Sequence, residues 1–406
     1  MIKINKDSPE VAKAEKAHWE WVRSNFKIKE PKPPQNASRE VKGAFTKAVN
    51  RKKRLYELLG FITEKQKKDQ NYFAEDKDQE FEELICTQPS QLKRVRDSLK
   101  FKNLVVEKSS QLKEYLKKKK DLKNDQDNEA LKNEVEALEA VVKNDLDEYN
   151  KKKKLSDEIQ QLLGYKKLYD KESSWNAYSL CDSLKLTVCP YCNRQYVFTA
   201  KNEEGEWKCR PQLDHFYVKS KYPFLSCSFY NLIPSCPFCN EGKNDCDKDT
   251  IYPYLEEFGN NAVFRMDGDE IKIVKTAQKS FIPKASYKIS IEKKFSESEI
   301  AIDRVQGHKI EKFKKLVKNS NDVFHLEILY NGHQLELKNL LVKYAAILGV
   351  NLEKYAEIYY EEKNVSEEKK ESLKKILLGL PLFFDDGDDY PLRKFKTDII
   401  NQLDEV

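Results

Sequence analysis

Two short cysteine motifs supply the ligand types of a metal site. Cys189-Pro-Tyr-Cys192 and Cys236-Pro-Phe-Cys239 both have the pattern C-x-x-C, and 43 residues lie between them. Zn²⁺ is commonly held by four thiolates in tetrahedral geometry, and two such motifs provide them. A redox role explains one C-x-x-C motif but not two, and chance clustering of buried cysteines is the remaining alternative. The spacing therefore predicts one structural zinc site, and the other cysteines are interpreted as packing residues.

A histidine and several carboxylate or amide side chains lie between and just after these motifs. Asp214 and His215 are adjacent, Asn231 follows sixteen residues after the histidine, and Asn240 directly follows a motif cysteine, three residues before Lys243. A single histidine is more often a core or surface residue than a catalytic one. The setting of this histidine, with an aspartate directly before it and two asparagines after it, favours a catalytic site.

Taken together, these residues resemble the zinc-binding branch of the HNH endonucleases, also called ββα-metal or His-Me finger nucleases. The motif of that family runs D-H, N-L and C-x-x-C-N/H-x-x-K, and every element is present between Cys189 and Lys243. The longer string LDHFYVKSKYP…NLIPSCPFCN looks most like the HNH nucleases of Septu-type and retron-associated bacterial anti-phage systems. Val218 stands where a proline is expected in that subgroup, which affects loop stiffness more than chemistry.

The chemistry and the resemblance together imply roles for three of the residues. His215, neutral near pH 7, is suited to be the general base that takes a proton from the attacking water. Asp214 and Asn240 would hold one Mg²⁺ or Mn²⁺, because these hard cations take oxygen ligands. Many HNH enzymes have histidine where Asn240 stands, and asparagine is an accepted variant.

The remaining candidates act around this centre. The resemblance implies that the amide of Asn231 holds the loop of the histidine and orients its ring. Lys243 would contact phosphate, and Lys219 and Lys221 are further candidates for nucleic-acid binding.

The resemblance implies a metal-dependent endonuclease that acts on DNA as the effector of a bacterial anti-phage system, beside a separate ATPase. RNA remains an alternative substrate. No G-x-x-x-x-G-K-[ST] motif occurs, so the chain is not expected to be that ATPase itself. Two other interpretations stay open. One is a non-catalytic zinc-ribbon module that binds nucleic acid or protein, and the other is an interaction scaffold.

Composition excludes some classes and places a limit on nucleic-acid binding. The 406 residues include 74 Lys and Arg and 68 Asp and Glu, which gives a net charge of +6. No apolar run is long enough for a membrane span and no secretion signal is evident, so we expect a cytoplasmic protein, and the resemblance implies a bacterial one. Residues 189–255 contain equal numbers of basic and acidic residues, so the flanking helices or a partner must bind the phosphates.

The chain is expected to be α+β: mostly helical, with a central zinc-bound ββα-metal domain. Five segments are predicted: an N-terminal helical region over 1–88, a charged antiparallel helical hairpin over 89–170, the HNH zinc nuclease domain over 171–255, a β-hairpin extension over 256–299, and a C-terminal helical region over 300–406.

Local patterns refine these segments. Residues 41–60 predict one helix that stops at Gly60. In the charged hairpin, residues 91–122 carry a net charge of +7 and residues 123–150 a net charge of −6, so the arms should attract each other, and the hairpin is also a possible oligomer contact. Gln195–Thr199 is predicted to be a short strand. In the extension, Phe264–Met266 and Ile271–Val274 are predicted to pair as strands around Asp267-Gly268. The acidic segment 385–389 is interpreted as a solvated loop.

Overall fold

The chain folds into two compact units. The computed structural model describes residues 1–26, 33–61, 75–296, 299–300, 309–380 and 390–405, and the acidic segment 385–389 lies outside them. The first unit comprises Met1–Ile4, Leu186–Phe198 and Pro234–Val406, and the second comprises Asn5–Lys185 and Thr199–Ile233. The predicted segment 171–255 is therefore divided between the two units. The structure is mostly helical with small two-stranded sheets, which confirms the α+β class.

Helices dominate the second unit. They are α1 (Pro9–Asn25), α2 (Arg39–Leu58), α3 (Glu75–Ile85), α4 (Pro89–Arg96), α5 (Ser110–Asn124), α6 (Glu129–Leu163) and α7 (Ala177–Ser183). The strands β1 (Ala200–Lys201) and β2 (Trp207–Cys209) pair antiparallel. The strand β3 (Gln212–His215) pairs with β4 (Leu232–Ser235), inside which the chain passes into the first unit.

Helix boundaries follow from capping residues. The hydroxyls of Ser8, Ser38 and Ser109 accept hydrogen bonds from backbone N–H groups in the first turns of α1, α2 and α5. Gly60, at φ +68°, follows α2, and Gly164, at φ +77°, ends α6. Only glycine adopts such backbone angles without strain, so each helix stops where its glycine stands.

The charged hairpin consists of α5 and α6. Near the turn, Lys118 pairs with Glu134 at 3.0 Å. At the opposite end of the hairpin, the Lys108 ammonium lies 5.6 Å from the ring centroid of Tyr149, so the two helices run antiparallel. Apolar side chains fill the space between them (Leu112, Tyr115, Val135 and Val142). The hairpin occupies only part of the predicted 89–170, because α4 and a 3₁₀ helix at Leu99–Leu104 precede its first arm.

A buried histidine joins three parts of the second unit. His18 on α1 donates from Nε2 to the carbonyl oxygen of Cys227 at 2.9 Å, and its Nδ1 accepts from Nε1 of Trp175 at 3.1 Å. The ring also lies 5.6 Å from that of Phe229, between centroids. Burial lowers the pKa of His18 from the ordinary 6.5 to about 4, because the charged form would lose its water without gaining an acceptor.

The first unit contains the remaining elements. Its helices are α8 (Pro237–Lys243), α9 (Gly268–Ala277), α10 (Lys309–Phe324), α11 (Leu326–Asn331), α12 (Gln334–Leu348), α13 (Leu352–Tyr360), α14 (Glu367–Leu378) and α15 (Arg393–Glu405), and its strands are β5 (Ala262–Met266) and β6 (Ile289–Lys293). Along β5, the N–H of Met266 donates to Gln402 on α15 at 2.9 Å, and the amide of Gln402 donates back to the Met266 carbonyl at 2.7 Å. In the described part of the chain, no helix is both long and apolar enough to cross a membrane.

The predicted strand at Ile271–Val274 is wrong, because these residues belong to α9. Asp267 caps this helix by accepting from the N–H of Asp269, and Asp269 and Glu270 place negative charge in its first turn. Ile271 and Val274 are three residues apart, so both face the core from one side of the helix. The strand that pairs with β5 is instead β6, antiparallel to it.

The buried His18 predicts a stability that falls in acid. The pKa of His18 is lower in the folded state. Between pH 6.5 and pH 4, the unfolded chain therefore binds a proton at this residue and the folded chain does not. Stability from this residue is complete above pH 6.5 and is lost as the pH falls, by roughly 3 kcal/mol between pH 7 and pH 4. In urea unfolding, the free energy of unfolding of His18→Gln should fall by roughly 3 kcal/mol less than that of wild type between pH 7 and pH 4.

The exposed His325 supplies the control, since His325→Gln should retain the wild-type dependence on pH. Equal slopes for wild type and His18→Gln would contradict the prediction.

Candidate functional site

The first cysteine motif lies on a tight loop of the first unit. Val188 and Tyr196 form an antiparallel bridge, and the N–H of Cys189 donates to the carbonyl of Gln195 at 2.9 Å. Asn193 adopts φ +50°, and its N–H donates to the Cys189 carbonyl at 2.8 Å. These bonds turn the chain sharply just after Cys192, so both sulfurs of the motif point to one side. Of the strand predicted over Gln195–Thr199, only the bridge at Tyr196 is formed.

The second motif forms the start of α8. Cys236 is the residue before the helix, Pro237 is its first residue, and Cys239 lies in its first turn. The N–H of Cys236 donates to the sulfur of Cys189 at 3.4 Å, and the sulfurs of Cys192 and Cys236 are 3.8 Å apart. All four sulfurs lie within 4.8 Å of one another and all four cysteines are buried.

This four-cysteine cluster (Cys189, Cys192, Cys236 and Cys239) can hold a zinc ion. Hydrogen bonds from the neighbouring thiols hold the pKa of Cys192 well below its ordinary value, while burial raises the pKa of Cys189. Thiols that share protons so closely give them up to a soft cation, which replaces the protons as the common partner. Among the described residues, no other group of three or more His, Cys, Asp or Glu side chains has this geometry.

The C-terminal helices of the first unit support the first motif from outside. The hydroxyl of Tyr330, on α11, donates to the Cys192 carbonyl at 2.6 Å, and Tyr191 stacks on Phe324 with centroids 4.4 Å apart. The N–H of Leu392 donates to the carbonyl of Asn193 at 2.7 Å. The loop that carries Cys189 and Cys192 is thus held by residues more than a hundred positions away.

His215 ends β3 in the second unit and is buried. Its Nε2 is 3.0 Å from the carbonyl oxygen of Ser226. A carbonyl oxygen only accepts, so Nε2 carries the hydrogen, and in the neutral ring the lone pair is on Nδ1. The ring of Tyr165, just after α6, lies 5.2 Å from the His215 ring, between centroids. The structure therefore fixes both the orientation and the tautomer of this histidine.

Asn231 closes the loop that follows His215. Its amide nitrogen donates to the carbonyls of Tyr217 and Leu225, both at 3.0 Å, and its amide oxygen accepts from the N–H of Tyr217 at 2.7 Å. Its backbone carbonyl accepts from the N–H of Phe216 at 2.9 Å. With no exposed surface, this one side chain satisfies three buried backbone groups and fixes the loop 216–231.

The two lysines of the loop make contacts with the protein itself. The ammonium of Lys219 donates to the hydroxyl of Tyr165 at 3.0 Å and lies 4.2 Å from its ring centroid. The ammonium of Lys221 is 3.4 Å from a carboxylate oxygen of Glu107. Sequence reasoning missed both partners, because nothing in the pattern of the helical segments marks Tyr165 or Glu107 as neighbours of the loop.

The other three candidates are distributed over both units. Asp214 is buried on β3 in the second unit. Asn240 is half-buried on α8 of the first unit, and Lys243 ends that helix and is buried. Asp214 and His215 thus lie on β3, Asn231 ends a short 3₁₀ helix just before β4, and Asn240 and Lys243 lie on α8.

Comparisons with known proteins identify no relative. Neither protein-family models, nor curated proteins, nor solved structures gave a match to this chain. The function must therefore be inferred from the residues themselves.

The four-cysteine cluster predicts one bound zinc per chain, lost when one sulfur is replaced. Cys236→Ser should purify with far less zinc and with a lower melting temperature, because structural zinc contributes directly to folding. Elemental analysis and thermal unfolding measure both. Cys246→Ser removes a half-buried thiol outside the cluster and should keep wild-type zinc and stability. Full zinc content in Cys236→Ser would contradict the assignment.

The hydrogen bonds of Asn231 predict that replacing its amide by a carboxylate lowers the free energy of unfolding. Asn231→Asp has the same shape but cannot donate, so it leaves the carbonyls of Tyr217 and Leu225 without their donor and buries a charge. We expect a loss of about 2–4 kcal/mol in the free energy of unfolding, measured with urea. Asn144→Asp, exposed on α6, should change it by less than about 0.5 kcal/mol. Similar small losses in both variants would contradict this role.

Proposed function

We propose that the chain is a metal-dependent endonuclease of the HNH type that hydrolyses phosphodiester bonds, with DNA as its principal substrate. The observation that carries the proposal is the fixed tautomer of His215. A general base needs a nitrogen lone pair at a defined position, and the bond from Nε2 to the Ser226 carbonyl keeps that lone pair on Nδ1.

The proposed reaction uses His215 as the proton acceptor. Nδ1 takes a proton from the attacking water, and the imidazolium that forms keeps its Nε2–H bond to the Ser226 carbonyl, which lowers the energy of the charged ring. Asn231 contributes by position alone, because it fixes the loop that carries Ser226 and Leu225. The resemblance implies a divalent cation with oxygen ligands, which would supply charge neutralisation at the phosphate.

The four-cysteine cluster has a separate part in this proposal. A zinc ion with four sulfur ligands has no open position for water or substrate, so it acts through structure. The cluster fixes the start of α8, which carries Asn240 and Lys243. The wider role, as the effector of a bacterial anti-phage system that works beside an ATPase, is supported by the sequence resemblance alone.

A second candidate is a zinc-dependent binding module without catalysis. The observation that favours it is the state of the loop: His215 is buried, and Lys219 and Lys221 are engaged by Tyr165 and Glu107. A module of this kind would bind nucleic acid or protein and leave it intact.

His215→Ala separates the two candidates. Purified protein with Mg²⁺ or Mn²⁺ should cleave supercoiled plasmid, and the variant should be slower by about 10²–10⁴-fold, the usual contribution of a general base. Single-stranded DNA and total RNA serve as parallel substrates, and EDTA should stop cleavage. His325→Ala, at an exposed position, should cleave at the wild-type rate.

The zinc content of His215→Ala should match wild type, since the histidine is not a zinc ligand. Cleavage by the variant at the wild-type rate would rule out His215 as the base. Binding without cleavage on every substrate, in wild type as well as the variant, would favour the binding module.

A further inference from the structure

A groove of about 410 Å³ lies in the second unit, beside the loop 216–231. Its charged lining residues are Arg96, Lys102, Lys152, Asp97 and Glu107, and Tyr222 forms part of its wall. We call this the basic groove. Its cations come from three separate elements: the end of α4, the 3₁₀ helix Leu99–Leu104 and the middle of α6.

Specific contacts hold the walls of the basic groove to the loop. Phe101 stacks on Phe224, with ring centroids 4.5 Å apart. The N–H of Val106 donates to the Lys221 carbonyl at 3.0 Å. The guanidinium of Arg96 lies 4.6 Å from the ring centroid of Tyr217. The groove is thus built against the same loop that Asn231 closes after His215.

The acidic residues of the groove have cationic partners within it. Asp97 accepts from Arg96 at 2.6 Å, and Glu107 pairs with Lys221 at 3.4 Å. Lys102 is exposed, and Lys152 pairs with Glu148, which is one turn away on α6 and two-thirds exposed. An exposed pair of this kind contributes little and exchanges readily for another anion.

Of the four consecutive lysines at residues 151–154, Lys152 lines the groove, because successive residues of a helix point in different directions. A series of cations along a groove matches a ligand with regularly spaced negative charges. Lysine ammonium groups bind phosphate oxygens as point charges and require no particular base, so such a surface is independent of sequence.

We infer that the basic groove binds the phosphodiester backbone of a nucleic acid. The inference rests on the proposed function and deepens it: the substrate is held by the segment 96–107 and by Lys152 of α6, beside the loop of His215. This supplies the affinity that residues 189–255, with balanced charge, do not provide.

Fluorescence anisotropy tests the groove directly. Labelled duplex DNA, single-stranded DNA and RNA are titrated in the His215→Ala background, without added divalent cation, so that no probe is cut. The test variant combines Lys102→Gln with Lys152→Gln. It should bind about 10-fold more weakly, and the slope of log affinity against log salt, between about 50 and about 200 mM, should fall by about 2 for a duplex.

The matched control combines Lys117→Gln with Lys132→Gln. Both lysines are exposed on the hairpin and outside the groove, and the change in net charge is the same. Equal losses in test and control variants would overturn the inference, because binding would then follow net charge alone. Displacement of the probe by polyglutamate as effectively as by unlabelled nucleic acid would overturn it too, in favour of an acidic protein partner.

The outcome is independent of catalysis. If wild-type protein cuts nothing and the groove variant still loses binding, the groove stands while the proposed nuclease fails. If wild type cuts and the groove variant binds as the control does, the nuclease stands and the groove assignment fails.

Discussion

Four sulfur atoms in one small volume are the constraint on which the first unit depends. Cys189 and Cys236 are far apart along the chain, yet the sulfurs of the cluster lie within 4.8 Å of one another. Four thiolates at that separation repel one another strongly unless a cation lies between them. The cluster closes a long loop, and that loop contains β3, His215 and Asn231. Binding of a metal would therefore fix both ends of the segment that carries the candidate chemistry.

Much of this arrangement can be predicted from local sequence, because its causes are local. Two C-x-x-C motifs predict a four-sulfur site, and Ser38 and Gly60 bound α2 through capping and a positive φ. The turn between α5 and α6 can be predicted from the polar residues that separate two segments with apolar periodicity. Residues 271–274 show the limit of such patterns: Ile-Lys-Ile-Val suits a strand or a helix, and the capping carboxylate of Asp267 decides for α9.

Contacts across the fold could not be predicted in this way. Nothing in the sequence indicates that Tyr165 lies against His215, that Lys219 bonds to the hydroxyl of Tyr165, or that Arg96 lies over Tyr217. These partners are separated by about 50 residues or more, and their types are common at surfaces. Lys219 was predicted to bind nucleic acid from its place beside the motif. Its geometry gives it a neighbour within the protein, and its contact with nucleic acid stays a prediction beside the inferred contacts of Lys102 and Lys152.

The end of α6 connects the charged hairpin to the candidate base. Gly164 stops the helix at φ +77°, and the next residue, Tyr165, lies against the ring of His215. The hydroxyl of Tyr165 is bonded to Tyr169 at 2.6 Å and to Lys219 at 3.0 Å, so the loop and the helix end share one network. Because interiors are close-packed, a shift of α6 along its axis must move Tyr165 and so alter the surroundings of His215. The same helix carries Lys152 in the basic groove. The lysine of the groove and the tyrosine that contacts the histidine thus belong to one short stretch of chain, residues 152–165.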